Sequence, residues 1–270
     1  STNNSLDTGV VDMGFHYRDT PPNTPSPTPS PTETPTVTPT DTPTDTPEPT
    51  NTPIMVIYVP QDYSSIQLAV DNAPAGATII VDDGTWTGSN NRDIDIDKEL
   101  TIRSSGGPYN CIIDCSGQGQ AFTIDSTPAQ VLIEGFTIRN GYSDYYGGAI
   151  YCHSSNVFIS NCILEDNQAR EGGGVTSSHS TLKMTGCILQ DNALYESFQR
   201  GSGLLSLSTV TIIENCLFTG NSGDRNGTVY VSTETSSLLM RNTTITGNTT
   251  EPTRCGGLFV ASLPSANVEN

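Results

Sequence analysis

Asn161-Cys162-Ile163-Leu164-Glu165-Asp166-Asn167 is one copy of a phrase that recurs along the second half of this chain. It returns as Gly186-Cys187-Ile188-Leu189-Gln190-Asp191-Asn192, then as Asn215-Cys216-Leu217-Phe218-Thr219-Gly220-Asn221. Asn242-Thr243-Thr244-Ile245-Thr246-Gly247-Asn248 is a fourth copy, and Gly135-Phe136-Thr137-Ile138-Arg139-Asn140-Gly141 a looser one. The central apolar residues Ile138, Leu164, Leu189, Phe218 and Ile245 stand 26, 25, 29 and 27 positions apart. Self-similarity at a near-constant period is the signature of a solenoid.

Within each unit, apolar and β-branched residues alternate with polar ones, as at Val157, Ile159, Cys162 and Leu164. Short alternating runs bounded by Gly, Asn, Asp and Ser read as strands, and no segment inside the repeats has helical spacing. Neither the L-x-x-L-x-L skeleton of leucine-rich repeats nor a six-residue period is present. The expectation is an all-β, right-handed, three-sided parallel β-helix. A lone coil buries too few side chains to offset the ordering of its backbone, so the coils must stack and share a core.

The recurring Asn167, Asn192, Asn221 and Asn248 fall at one turn of successive coils. Stacked amides bond one another along the axis, and Asn tolerates left-handed backbone. The pairs Gly147-Gly148, Gly172-Gly173 and Gly256-Gly257 mark the next corner, where a side chain would clash. They do not sit between a strand and a helix, which excludes a phosphate-cradling loop.

Gly147-Gly148-Ala149-Ile150 and Phe218-Thr219-Gly220-Asn221 resemble the GGAI and FxxN tetrapeptides of chlamydial polymorphic outer-membrane proteins. Leu164-x-x-Asn167 and Gly256-Gly257-Leu258-Phe259 are weaker versions. The resemblance extends to secreted bacterial proteins of the pectin-lyase-like β-helix superfamily and covers roughly residues 56–270. It implies the β-helix and a secreted or cell-surface location. The stretch 56–86 is similar to that superfamily's N-terminal cap. There Ser64 and Gln67 suggest a capping box, and Ile66, Ala69, Val70 and Ala73 share one face of a short helix. Such a helix covers the open first coil and blocks edge pairing.

Three segments are expected. Residues 1–18, with Asp7-Thr8-Gly9 and Asp12-Met13-Gly14-Phe15-His16-Tyr17, resemble the closing tail of a preceding domain. Residues 19–53 are almost wholly Pro, Thr, Ser, Asp and Glu, with Pro35, Pro39, Pro43 and Pro47 at a four-residue beat. That composition lacks the apolar residues of a core and reads as a disordered, extended spacer. Residues 54–270 form the β-helix, expected to continue in a longer protein because Val268-Glu269-Asn270 repeats Ile213-Glu214-Asn215 in mid-coil.

The formal charge is −18, from 29 acidic against 11 basic residues. This disfavours nucleic acid and anionic membranes, and no run is long and apolar enough to span a bilayer. It also disfavours a polygalacturonate groove, leaving cations, neutral glycans and surface proteins of host or neighbour as partners for a monomer. Of seven cysteines, Cys162, Cys187 and Cys216 occupy equivalent inward positions and read as a ladder of buried thiols. Cys111 and Cys115, or either with Cys152, are close enough in sequence or repeat for a bridge, which spacing does not decide.

Three candidate sites stand out. Asp93, Asp95 and Asp97 alternate with Ile94 and Ile96, which puts three carboxylates on one strand face about 7 Å apart, a set of oxygen ligands suited to Ca²⁺ or simply a solvated face. Asp166 and Asp191 lie one above the other at about 5 Å, a spacing that suits retaining glycoside hydrolysis, yet both sit in a turn whose next copy has Gly220. Tyr145 and Tyr146, on the turn 141–147, are candidates for sugar stacking. Pectate lyases and pectin methylesterases combine acids with Arg on neighbouring coils. Here Arg139, Arg170, Arg200 and Arg241 fall at scattered positions of the repeat. The expected function is therefore a non-catalytic, adhesin-like or structural β-helix without cofactor. A polysaccharide lyase, hydrolase or esterase, or a glycan-binding module, is the alternative.

Overall fold

A computed structural model describes residues 55–196, 199–223, 227–232, 235–250, 256–261 and 265–269. These lie in a unit spanning Asn51–Asn270. The expectations for the tail at 1–18 and the spacer at 19–53 fall outside the described residues.

The polypeptide winds as a parallel solenoid with three walls. The first holds nine strands, from Val56–Val59 through Ala77–Val81 and Asn156–Ser160 to Ser265–Glu269. The second holds seven three- or four-residue strands, among them Thr137–Arg139, Ile163–Glu165 and Ile188–Gln190. The third also holds seven, from Ile94–Ile96 and Phe122–Asp125 through Ile150–His153, Val175–Ser178 and Leu204–Leu207 to Leu258–Ala261. A three-stranded ribbon, Tyr142–Tyr146, Gln168–Glu171 and Ala193–Leu194, runs along the corner between the second and third walls.

Register carries the repeat into space. Ile138, Leu164, Leu189, Phe218 and Ile245 are successive partners on the second wall, as the 25–29-residue steps require. On the first wall Ile57, Ile79, Ile102, Ile133, Ile159, Met184, Ile213, Met240 and Val268 form a column of like residues. Side chains of alternate residues point inward, so these columns merge into one continuous apolar core from Ile57 to Met240, with Val268 exposed beyond it.

The corners are made by single residues in left-handed backbone. Asn140, Asp166 and Asp191 (φ 53°, 54° and 54°), followed by Gly220 and Gly247, share one corner of successive coils. Gly148 has a different reason to be glycine, since a Cβ there would run into the carbonyl oxygen of Gly173 on the next coil. At Gly257 nothing crowds a Cβ, so the expected clash is absent from that corner.

The helix Ile66–Asn72 is present, and Ile66, Ala69, Val70 and Ala73 are buried as expected. The expected capping box is not formed. Ser65, not Ser64, is the N-cap and accepts a hydrogen bond from the Leu68 N–H at 3.4 Å. Gln67 reaches outward: its Oε1 accepts the Asp95 N–H at 2.9 Å and its Nε2 donates to Asp71 at 2.7 Å. The helix thus supplies an acceptor to the exposed edge of the third wall's first strand.

Candidate functional site

The Asn column is internal. Asn167, Asn192 and Asn221 are completely buried. The Asn192 Nδ2 donates to Asn221 Oδ1 and to the Leu164 carbonyl, both at 2.9 Å, while its own Oδ1 accepts from Asn167 Nδ2 at 3.0 Å. Asn221 repeats the pattern with Asn248. The amides of Asn167, Asn192 and Asn221 therefore satisfy the corner backbone and present nothing to solvent, while Asn248 is half-buried. The six described cysteines are buried and unbridged, so no bridge joins Cys111, Cys115 and Cys152. Burial pushes the Cys152 and Cys162 thiols up to about 12. Cys187 is raised and Cys216 lowered by the hydrogen bond between them.

The acidic candidates line no common cleft, although Asp166 and Asp191 stand at one corner of adjacent coils. Asp93 sits in a left-handed turn (φ 50°), and its carboxylate lies over Gly119 and accepts the Gln120 N–H at 3.1 Å. Asp95 projects to solvent beside Gln67, and Asp97 lies 3.8 Å from Lys98. Among the described residues, no three His, Cys, Asp or Glu side chains converge in a way that would hold a metal ion. Asp166 lines an open cleft of about 400 Å³ with Asn140, Tyr142 and Gln168. Asp191 is not on that cleft, and its carboxylate packs over Gly220. One coil away, Asp114 joins neighbouring rungs by accepting from Arg139 Nε and Asn140 Nδ2, each at 3.0 Å. Burial works against that carboxylate's charge, but Asn140, the Ser116 N–H and Arg139 outweigh it and hold its pKa below the ordinary value.

The aromatic candidates are gathered. Tyr145 and Tyr146 are exposed at the end of the ribbon's first strand, where the ribbon's register shifts between Ser143 and Tyr146. With Arg170, Glu171, Gln199 and Arg200 they line a cleft of about 170 Å³. Tyr146 also borders a second cleft, of about 140 Å³, with Tyr151, His153, Thr176, Ser178 and Leu207. The Tyr146 and Tyr151 rings are near parallel (16°, centroids 6.0 Å apart), and Tyr151 and His153 follow at 10° and 6.4 Å. Three rings thus stand in a row along the wall. Burial, followed by Asp125 and the Tyr146 hydroxyl, raises the Tyr151 pKa, which keeps that phenol neutral.

The turn above the third wall is fixed by charge. Arg200 Nη2 donates to both Glu171 oxygens, at 2.9 and 3.1 Å, and its guanidinium lies 5.1 Å from the centre of the Tyr230 ring. Arg170 pairs with Glu196 at 2.9 Å. Thr176 donates to the Glu171 carbonyl at 3.1 Å. This roof buries Thr176 and Tyr230 although they are at outward positions of their strands. Behind it, Tyr142 and Tyr195 stack at 5.5 Å and both hydroxyls bond Asp144. The Asp144 carboxylate raises the Tyr142 phenol to about 12.

Tyr151 and His153 are the site residues that inspection of the repeats did not single out. Their outward phase is readable in Ile150-Tyr151-Cys152-His153, but their place beside Tyr146 depends on how the ribbon folds over the wall.

Three parallel walls, single-residue corners and an internal Asn column define a parallel β-helix. Residues 76–270 match the family model for a right handed beta helix region, and the chain belongs to that family. No curated protein matches the sequence. No helix among the described residues is long and apolar enough to cross a membrane.

Proposed function

We propose that this protein is a non-catalytic binding solenoid of the adhesin-like kind, secreted or held at a bacterial cell surface, that contacts glycans or surface proteins through its tyrosine-bearing wall. One observation carries the reading. The candidate acids Asp166 and Asp191 stand at left-handed corner positions with no Arg beside them in the cleft that Asp166 lines, and Glu171 and Glu196 are held by Arg200 and Arg170, while the aromatic residues cluster around two adjoining clefts. A binding wall needs only the second of these. The acidic balance and the resemblance to surface and secreted β-helices support the location, and the Pro/Thr-rich segment at 19–53 suits a stalk that holds a domain away from its anchor.

The test is a search for turnover. Neutral and acidic polysaccharides incubated with the protein are expected to release neither reducing ends nor unsaturated products. Turnover that disappears in Asp166→Ala or Asp95→Ala would replace this reading by that of a polysaccharide-acting enzyme.

A further inference from the structure

We infer that the row of rings Tyr146, Tyr151 and His153, together with the slot beside it, is a subsite for an uncharged pyranose of a neutral oligosaccharide; this rests on the non-catalytic binding reading and names its ligand class. The slot comes from residue size on three successive rungs. Tyr151 is paired in register with Thr176 and then Leu205, and His153 with Ser178 and then Leu207. Thr176 and Leu205 are buried (1% and 0% exposed), so the slot opens where Ser178 lies between the aromatic ridge at His153 and the leucine ridge at Leu207. Rungs spaced about 4.8 Å apart put the two ridges about 10 Å from each other. That width admits one flat ring.

The chemistry of the lining selects the ligand. A pyranose has an apolar C–H face and a rim of hydroxyls. Near-parallel aromatic rings offer the first a matching surface, and Ser178 with the exposed ends of the tyrosines offers the second hydrogen-bond partners. Charge argues against a uronate. Arg170 and Arg200, the guanidiniums that line the adjoining cleft, are held by Glu196 and Glu171. Asp125 lies one rung from His153, in register with it. An incoming carboxylate would meet no guanidinium without a partner and at least one carboxylate nearby.

The experiment is isothermal titration of the whole chain with cellohexaose, xylohexaose, mannohexaose and hexagalacturonate. At least one neutral hexasaccharide is expected to bind, with hexagalacturonate weaker than it. Tyr146→Ala, at an exposed position, should weaken that binding roughly tenfold. Ser178→Phe fills the slot while keeping every ring and should abolish binding, whereas Tyr109→Ala, on an unrelated and 80% exposed side chain, should leave it unchanged. Melting temperatures confirm that each variant folds. The inference is overturned if none of the three neutral sugars binds, if hexagalacturonate binds as tightly as the best of them, or if Tyr146→Ala and Ser178→Phe both bind like the parent. Polysaccharide turnover would instead remove the non-catalytic reading, so the two failures are distinguishable.

Discussion

At the scale of single residues, amide and carboxylate side chains that look alike in the repeat have opposite roles. Asn192 lies inside, and each of its polar atoms has a partner on a neighbouring coil. Asn192→Ala would take a donor from the Leu164 carbonyl and an acceptor from the Asn167 N–H and Nδ2, while the Asn221 oxygen keeps the Asn192 N–H. It should cost about 2–4 kcal/mol, read from urea denaturation. Asp166, one position before such an asparagine, faces solvent, and what it supplies is tolerance of φ 54°. Asp166→Ala should therefore cost about 1 kcal/mol of conformational strain, while Asp166→Gly should stay within about 0.5 kcal/mol of the parent. Equal losses in both would mean that the carboxylate itself is needed. The buried thiols give a third check. With Cys152 and Cys162 raised to about 12 and shielded by neighbouring coils, neither should react with an aromatic disulfide reagent at pH 8 until the protein is unfolded.

At the scale of elements, coils are joined by hydrogen bonds, by shared core and by a few ion pairs across rungs. Asp114 with Arg139 and Asn140 is the clearest of the pairs, and it fixes the sign of one pH effect. Because the folded-state pKa of Asp114 is depressed, its contribution is present above the ordinary carboxylate range and disappears as the pH falls through the folded value. The Asp114 side chain is mostly covered but its partner Arg139 is a third exposed, so Asp114→Asn should lose about 1 kcal/mol at pH 7 and less at pH 2, as urea midpoints at the two pH values would show. The capping helix was legible from its apolar face, because Ile66, Ala69, Val70 and Ala73 keep helical spacing. Its partner was not. Gln67 fits a capping box that starts at Ser64, yet the helix is capped by Ser65 and the exposed edge of a strand 28 residues away offers Gln67 an N–H that water would otherwise have to satisfy. Local spacing does not reveal a competitor brought in by the fold.

At the scale of the whole molecule, the surplus of acidic residues acts on every coil. Self-repulsion at −18 works against the compact state, so raising NaCl from 10 to about 200 mM should raise the melting temperature measured by circular dichroism. A fall would mean that cross-rung ion pairs such as Arg200–Glu171 outweigh the repulsion. The winding itself was determined by sequence alone: alternation sets which residues point inward, and the 25–29-residue step sets which of them stack, because a parallel coil has no other way to bring like residues into register. The tyrosines at 145 and 146 were likewise visible as exposed aromatics, although they lie on the strand Tyr142–Tyr146 and not on the expected turn. That they meet Tyr151 and His153 beside a slot floored by Ser178 was decided only by the tertiary structure. The reason is physical: those neighbours lie on a different wall, and the bend of the ribbon toward it is held by Arg200, Glu171 and Tyr230, which have no fixed place in the repeat.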